Sequence, residues 1–377
     1  MEFTEEQKMI RQLVREFALK ELEPVASHID ETGEFPWENI KKMAELGLLG
    51  IPYPEKYGGA GMDTLCYSIA VEEIARVCAA TALTLAAHIS LGAQPIYLFG
   101  TEEQKQKYLI PLNQGKVLGA FGLTEPEAGS DAGATKTTAV LQGDHYVLNG
   151  TKCFITNASV AQTFVVTAKT NPAAGTRGIS SFIIEKGFEG FKIGKKENKL
   201  GVRGSDTAEL IFENCIVPKE NLLGKEGEGF KQFLTTLDGG RISIGAMALG
   251  IAQGALDKSL QYAKQRVQFN QPIAEFQAIQ WMLADMATEI QAARHLVYEA
   301  SILKDKETNI IKEAAMAKLY ASEVAMRATT KAIQIHGGYG YCKEYQVERY
   351  FRDAKLCEIG EGTSEIQRLV IARELLK

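Results

Sequence analysis

Glu361 lies in the string Gly360-Glu361-Gly362-Thr363-Ser364-Glu365-Ile366-Gln367, a carboxylate between two glycines just ahead of a helical segment. Glycine neighbours crowd nothing, so such a carboxylate can reach into a cleft and act as a general base. A solvent-facing loop carboxylate fits the same local pattern. Four other strings carry groups suited to holding a ligand. Phe121-Gly122-Leu123-Thr124-Glu125-Pro126-Glu127-Ala128-Gly129-Ser130-Asp131 combines turn formers with hydroxyls and backbone donors. Phe154-Ile155-Thr156-Asn157 ends a strand pattern with a hydroxyl and an amide. Arg266-Val267-Gln268-Phe269-Asn270-Gln271-Pro272-Ile273, with Gln277 beyond, offers a guanidinium fork for phosphate and a ring to cover a base. Gln334-Ile335-His336-Gly337-Gly338-Tyr339-Gly340 holds paired glycines, across which a backbone can approach a pyrophosphate. Each string also has a plain reading: an inter-domain turn, a strand end, a solvated helix end, a helix C-cap. Taken singly, none decides the chemistry.

Several other chemistries leave no mark. There is no G-x-G-x-x-G, no G-x-x-x-x-G-K-[ST], no G-x-S-x-G and no H-E-x-x-H. The six cysteines show no C-x-x-C spacing and none neighbours a histidine at zinc-ligand spacing, so no metal is expected. Their scatter suggests buried thiols in a reducing compartment. Lys and Arg number 42 against 47 Asp and Glu, a net charge of −5 that draws the chain to neither nucleic acid nor anionic membranes. No apolar run approaches eighteen residues, so no membrane insertion is expected. The acidic, polar start MEFTEEQKMI resembles neither a signal nor a transit peptide, and a cytoplasmic location is expected.

The elements that must position these strings fall into three textures over 377 residues. The first, residues 1–118, reads helical. Ile10, Leu13, Val14 and Phe17 mark one helix face, Thr4 with Gln7 forms a capping box, and Pro24 ends that helix. Another helix begins at Thr101 and stops near Pro111. Residues 119–223 alternate short β runs with turns, and Asn149-Gly150 reads as a hairpin turn between two of them. Residues 224–377 return to the helical period, with Ile279, Met282, Leu283, Met286 and Ile290 on one long helix. Ser364 and Gln367 have capping-box spacing for the last helix.

In order and spacing, the five strings together resemble the acyl-CoA dehydrogenase family over essentially the whole chain. The likeness is greatest to short-chain, butyryl-CoA dehydrogenase-like members. It implies an α+β multidomain fold: an N-terminal α-helical domain, a middle β-barrel-like domain and a C-terminal four-helix bundle. It implies non-covalent FAD, an acyl-CoA substrate, a homotetramer, and an electron-transferring flavoprotein as acceptor. By position, Phe121, Leu123, Thr124, Gly129, Ser130, Phe154, Ile155 and Thr156 would hold the flavin. Arg266, Phe269, Gln277, Gln334, Gly337 and Gly338 would hold the ADP half across a subunit interface, and Thr363 and Glu365 would also touch FAD. Ser130, Asp238, Arg241, Gly360 and Gly362 would border the substrate.

Glu361 matches the family's catalytic base, which removes the α proton of the thioester while the β hydrogen leaves as hydride to flavin N5. Its backbone N–H would help polarise the thioester oxygen. Some members carry the base on the helix bearing the Asp-x-x-Arg segment; the matching position here, Gly240, cannot serve. Gly360 stands where tyrosine often precedes the base, which implies a wider pocket for branched, cyclic or aryl acyl groups. Phe154 replaces a common tryptophan and keeps a ring beside the flavin. The same site run backwards would make an enoyl-CoA reductase.

Overall fold

The computed structural model describes residues 2–306 and 308–377. Helices occupy the first stretch: α1 (Glu5–Phe17), α2 (Glu23–Thr32), α3 (Trp37–Glu45), α4 (Thr64–Ala75), α5 (Ala79–Ala86), α6 (Gln94–Phe99), α7 (Glu102–Gln104) and α8 (Ile110–Asn113). The Thr4–Gln7 capping box forms as its spacing predicts. Ile10, Val14 and Phe17 are buried, whereas Leu13 of the same stripe is exposed.

Pro24 does not end the first helix. A π-type turn, Ala18–Leu22, links α1 to α2, and Pro24 falls within the first turn of α2. The widened turn breaks the i→i−4 ladder just ahead of the ring, so proline opens a new ladder instead of interrupting an old one. Pro111 sits the same way after Lys105–Leu109, and Pro95 after Ala87–Ala93. The run Ala79–Phe99 is therefore one 21-residue helix, long and apolar enough to cross a membrane by length and composition. Uninterrupted apolar runs do not reveal this helix, because Thr, His, Ser and Gln punctuate the sequence while the helix as a whole averages apolar. It packs inside the protein, with 78% of its most apolar window buried.

Eight strands form the middle sheet: β1 (Gly119–Gly122), β2 (Thr138–Gln142), β3 (His145–Thr156), β4 (Thr163–Lys169), β5 (Ile179–Glu185), β6 (Phe191–Lys196), β7 (Thr207–Pro218) and β8 (Leu222–Leu223). Their order is β6-β7-β3-β2-β4-β5-β8, with β1 beside β4, and the two ends of this path are not paired. Asn149-Gly150 makes no hairpin. β3 runs straight through it, and Gly143-Asp144 makes the turn between β2 and β3. Asn149 instead exchanges hydrogen bonds with Asn214 across a register shift between β3 and β7. Gly150 is required there because its φ is +150° and a Cβ would collide with Thr137.

The last third holds α9 (Gly229–Gln265), α10 (Gln277–Asp305), α11 (Ile311–His336), α12 (Val347–Ile359) and α13 (Ser364–Leu375). A small antiparallel pair, β9 (Val267–Gln268) and β10 (Gln271–Pro272), joins α9 to α10. Helices α9 to α12 pack together, and α13 lies against α11. Glycines at 250 and 254 let α9 meet the α4 backbone closely, since a Cβ at either would strike Glu72 or Arg76 carbonyls. Five of the six cysteines are buried and all are free; Cys342 is exposed.

His88 joins the first two regions. Its Nε2–H donates to the Leu112 carbonyl at 3.1 Å, and its Nδ1 accepts from the Gly119 N–H at 3.1 Å, which anchors β1. Burial holds its pKa down to about 4, from an ordinary 6.5, so the folded ring is neutral. The unfolded chain takes up a proton below about 6.5 that the folded chain refuses, so this site loses stability as pH falls from 6.5 toward 4. His88→Leu should orphan the buried Gly119 N–H at roughly 1–3 kcal/mol, while the Leu112 carbonyl keeps the Gly115 N–H. A clearly lower thermal midpoint by circular dichroism is expected; an unchanged one would contradict the anchoring role.

Candidate active site

Glu361 follows the end of α12 with φ +53°, in the left-handed region that a non-glycine residue adopts only at a cost of about 1–2 kcal/mol. Gly360 precedes it with ordinary extended angles, φ −66° and ψ 151°, and Gly362 follows at φ +95°. Thr363, not Ser364, caps α13, accepting from the Ile366 N–H. Gln367 therefore closes no capping box. Its Nε2 donates instead to the carbonyls of Glu361 (3.2 Å) and Gly362 (2.9 Å), because the left-handed turn points both oxygens back toward it. Lys318 of α11 donates to the same Gly362 carbonyl at 2.7 Å. The Glu361 N–H meets no acceptor among the described residues.

The carboxylate that this turn delivers is unusual in what surrounds it. Oε2 is fully buried and has no hydrogen-bond partner among the described residues. It rests against Gly240 of α9, and a Cβ there would collide with it. A glycine in the middle of a helix is disfavoured by about 1 kcal/mol relative to alanine, and here the gap it leaves holds the acid. Burial pushes the Glu361 pKa up to about 7, with Lys318 and Arg241 pulling the other way. Arg241 is buried and pairs with Asp238 at 2.6 Å, leaving its Nε without a partner. It thus faces the interior beside Glu361. Asp238 itself is raised by burial to about 6, opposed by Arg241.

The remaining residues form two further groups. Phe121 is buried on β1, while Leu123 and Thr124 are partly exposed just beyond it. The Cys153 N–H donates to the Thr124 carbonyl at 2.8 Å, joining this loop to the end of β3. There Phe154 adopts φ +58° and is 65% exposed, Ile155 is buried and Thr156 is partly exposed. Gly129 and Ser130 lie on the exposed part of the loop. In the second group, Arg266, Gly337 and Gly338 line one cleft of about 440 Å³ with Tyr262, His336 and Tyr339. Phe269, Gln277 and Gln334 are exposed and do not line it. Glu365 is exposed at the start of α13.

Sequence reasoning missed what holds these groups. Lys152, buried in β3, donates to Glu125 (2.7 Å), to the Leu123 carbonyl (3.1 Å) and to two threonine hydroxyls. Glu125 also accepts from the Thr135 hydroxyl and from the Lys136 and Thr137 N–H groups. Burial alone would push that carboxyl up, but the ammonium and these donors outweigh it and keep it ionised. Lys152 and Lys318 carried no local signal beyond a lysine inside an otherwise apolar period, and Gln367 reads from the sequence only as half of a capping box.

A flat ring and a polyanion suit these surroundings. Phe154 presents an uncovered aromatic face, Arg266 has no ion-pair partner among the described residues, and no atom lies within 4 Å of a Cβ built at Gly337 or Gly338. Residues 4–116, 120–215 and 227–376 match the N-terminal, middle and C-terminal domain models of acyl-CoA dehydrogenase. The chain belongs to the acyl-CoA dehydrogenase family. It is 57% identical to the short-chain specific acyl-CoA dehydrogenase of Clostridium acetobutylicum, over 99% of both chains. It is 56% identical to the acryloyl-CoA reductase (NADH) of Anaerotignum propionicum, over 99% of this chain and 95% of that one. The butyryl-CoA dehydrogenase structure from Megasphaera elsdenii superposes with a TM-score of 0.99, at 48% identity over 100% of both chains. The three-domain fold is that of the family.

Gly240→Ala gives the sharpest test of the packing around the acid. Helix propensity favours the change, so folding should survive. The new methyl must displace the Glu361 carboxylate, and turnover should fall about 10²–10⁴-fold, the worth of a well-placed base. Steady-state kinetics with near-normal activity would contradict this.

Proposed function

We propose that this enzyme carries out FAD-dependent α,β-dehydrogenation of a short or medium acyl-CoA thioester, giving the trans-2-enoyl-CoA. The observation that carries the reading is the half-buried Glu361 carboxylate, whose Oε2 is fully buried and has no hydrogen-bond partner among the described residues. An acid with no internal hydrogen bond is free to take a proton from a substrate, and burial has moved its pKa to about 7, where it can accept that proton near neutrality. FAD is the cofactor, and when bound it supplies the acceptor for the β hydrogen.

The chain's own groups do the rest. The α carbon of a thioester is weakly acidic, so its oxygen needs a donor as charge develops. The unengaged Glu361 N–H is available for that, on the same residue as the base. Phe154, Ile155, Thr156, Thr124 and the backbone about Leu123 would hold the ring system, and Arg266, Gly337 and Gly338 would hold the ADP half across a subunit interface. The exposure of Phe269, Gln277 and Gln334 suits side chains that reach a cofactor held by a second copy in a homotetramer. Ser130 and the Asp238–Arg241 pair border the CoA side. An electron-transferring flavoprotein takes the electrons away.

The likeness to an acryloyl-CoA reductase favours a second reading, the same site working toward the saturated thioester. One base serves both directions, returning its proton to the α carbon in the reverse.

Anaerobic titration with a panel of acyl-CoA thioesters, followed by the flavin spectrum, should show bleaching. Glu361→Gln should keep FAD and ligand binding but lose at least about 10²-fold in the reduction rate. Normal reduction by this variant would move the base elsewhere. Because the base must be ionised, kcat/KM should rise with pH through an acid limb near 7.

Gly360→Tyr tests the substrate class. The φ and ψ at 360 admit any residue, and a Cβ there meets only Leu356, at 3.4 Å or more. The native enzyme should accept branched, cyclic or aryl acyl chains that the tyrosine variant rejects. Strict native preference for straight C4 chains, unchanged in the variant, would refute the wider pocket.

A further inference from the structure

Lys318 is a buried ammonium in search of a charge partner. Its side chain is fully inside the protein, yet no carboxylate lies within ion-pair distance of it among the described residues. Its hydrogen bond goes to the Gly362 carbonyl. An isolated buried cation is expensive unless something nearby compensates it. The groups around it are Cys357 and Glu358 of α12, Arg241 of α9, and Glu361 in the loop. Arg241 is already paired with Asp238. Glu361 in turn faces Lys318, Arg241 and, across α4, the neutral phenol of Tyr67, which is tied to Ser90. Lys318 is thus the one uncompensated cation that both the base and its loop feel.

We propose that Lys318 is a positioning residue for the reaction. It clamps the strained 361–362 turn through the Gly362 carbonyl, and its charge favours the ionised form of the base. This rests on Glu361 being the base. Two parts of the clamp are separable, because Gln367 grips the same Gly362 carbonyl, and that of Glu361, without carrying a charge. Lys318 should therefore influence both loop geometry and proton affinity, and Gln367 geometry alone. Burial pulls the Lys318 pKa down to about 8, so its influence should fade above that pH.

The test compares FAD-loaded Lys318→Met and Gln367→Leu with the native enzyme in two readouts. One is the pH profile of kcat/KM. The other is the infrared titration of the Glu361 carboxyl without substrate, obtained by difference against Glu361→Gln. Removing a nearby positive charge raises a carboxyl pKa, so in Lys318→Met both the acid limb and the infrared midpoint should move up by about one pH unit. Below the limb that is about a tenfold loss relative to native, shrinking above pH 8. Gln367→Leu should lower kcat with both midpoints unmoved. Should Lys318→Met fail to fold, Lys318→Gln, which keeps a donor for Gly362, carries the same comparison. A uniform loss in the lysine variants, with both midpoints at their native pH, would reduce Lys318 to a structural role and overturn the proposal. Retained turnover in Glu361→Gln is a different outcome, because it removes the base assignment itself.

Discussion

A carboxylate with one oxygen kept away from water and without a hydrogen-bond partner is costly to hold, and much of this protein's local architecture follows from holding one. Glu361 reaches its place only because its backbone accepts a left-handed turn and α9 leaves a gap at Gly240. Neither concession favours folding taken alone. The turn is strained, and a mid-helix glycine weakens its helix. What opposes them is a pair of donors, Gln367 from α13 and Lys318 from α11, with the Thr363 hydroxyl accepting from the Ile366 N–H to cap α13. Together they place an acid whose pKa burial has brought near neutrality, with an unengaged N–H on the same residue.

The same logic appears where the middle sheet meets the first helices. The Lys152–Glu125 pair is buried, and such pairs add little net stability over an apolar replacement. Its value lies in geometry. One ammonium and one carboxylate gather the Leu123 carbonyl, the Thr135 hydroxyl and the 136–137 amides, so that a loop rich in Pro and Gly takes one shape. His88 does comparable work at the start of β1.

Much of this was legible in the sequence. The 3.6-residue period marked the helices, the β runs placed β3, β4, β5 and β7 but not β1, β2, β6 or β8, and the five ligand-type strings pointed to one family. The errors are instructive. Pro24 and Pro111 read as stops because proline breaks a regular ladder, but a π turn ahead of each removes the conflict. Asn149-Gly150 reads as a hairpin because the pair tolerates positive φ; the structure uses that tolerance for close approach to Thr137 instead. Lys152, Lys318 and Gln367 were illegible for a different reason. A buried lysine resembles a surface one until the partner across the fold is known, and their partners lie on other elements or around a strained turn.

Exchange of the hydrogens on carbon 2 of a bound saturated acyl-CoA with deuterated water tests the central claim most directly, because it isolates proton removal from electron transfer. Mass spectrometry of the recovered thioester reports it. Exchange should be rapid in the native enzyme, rise as pH passes about 7, and be abolished when residue 361 is glutamine. Undiminished exchange in that variant would contradict the account, because some group other than Glu361 would then be taking the proton.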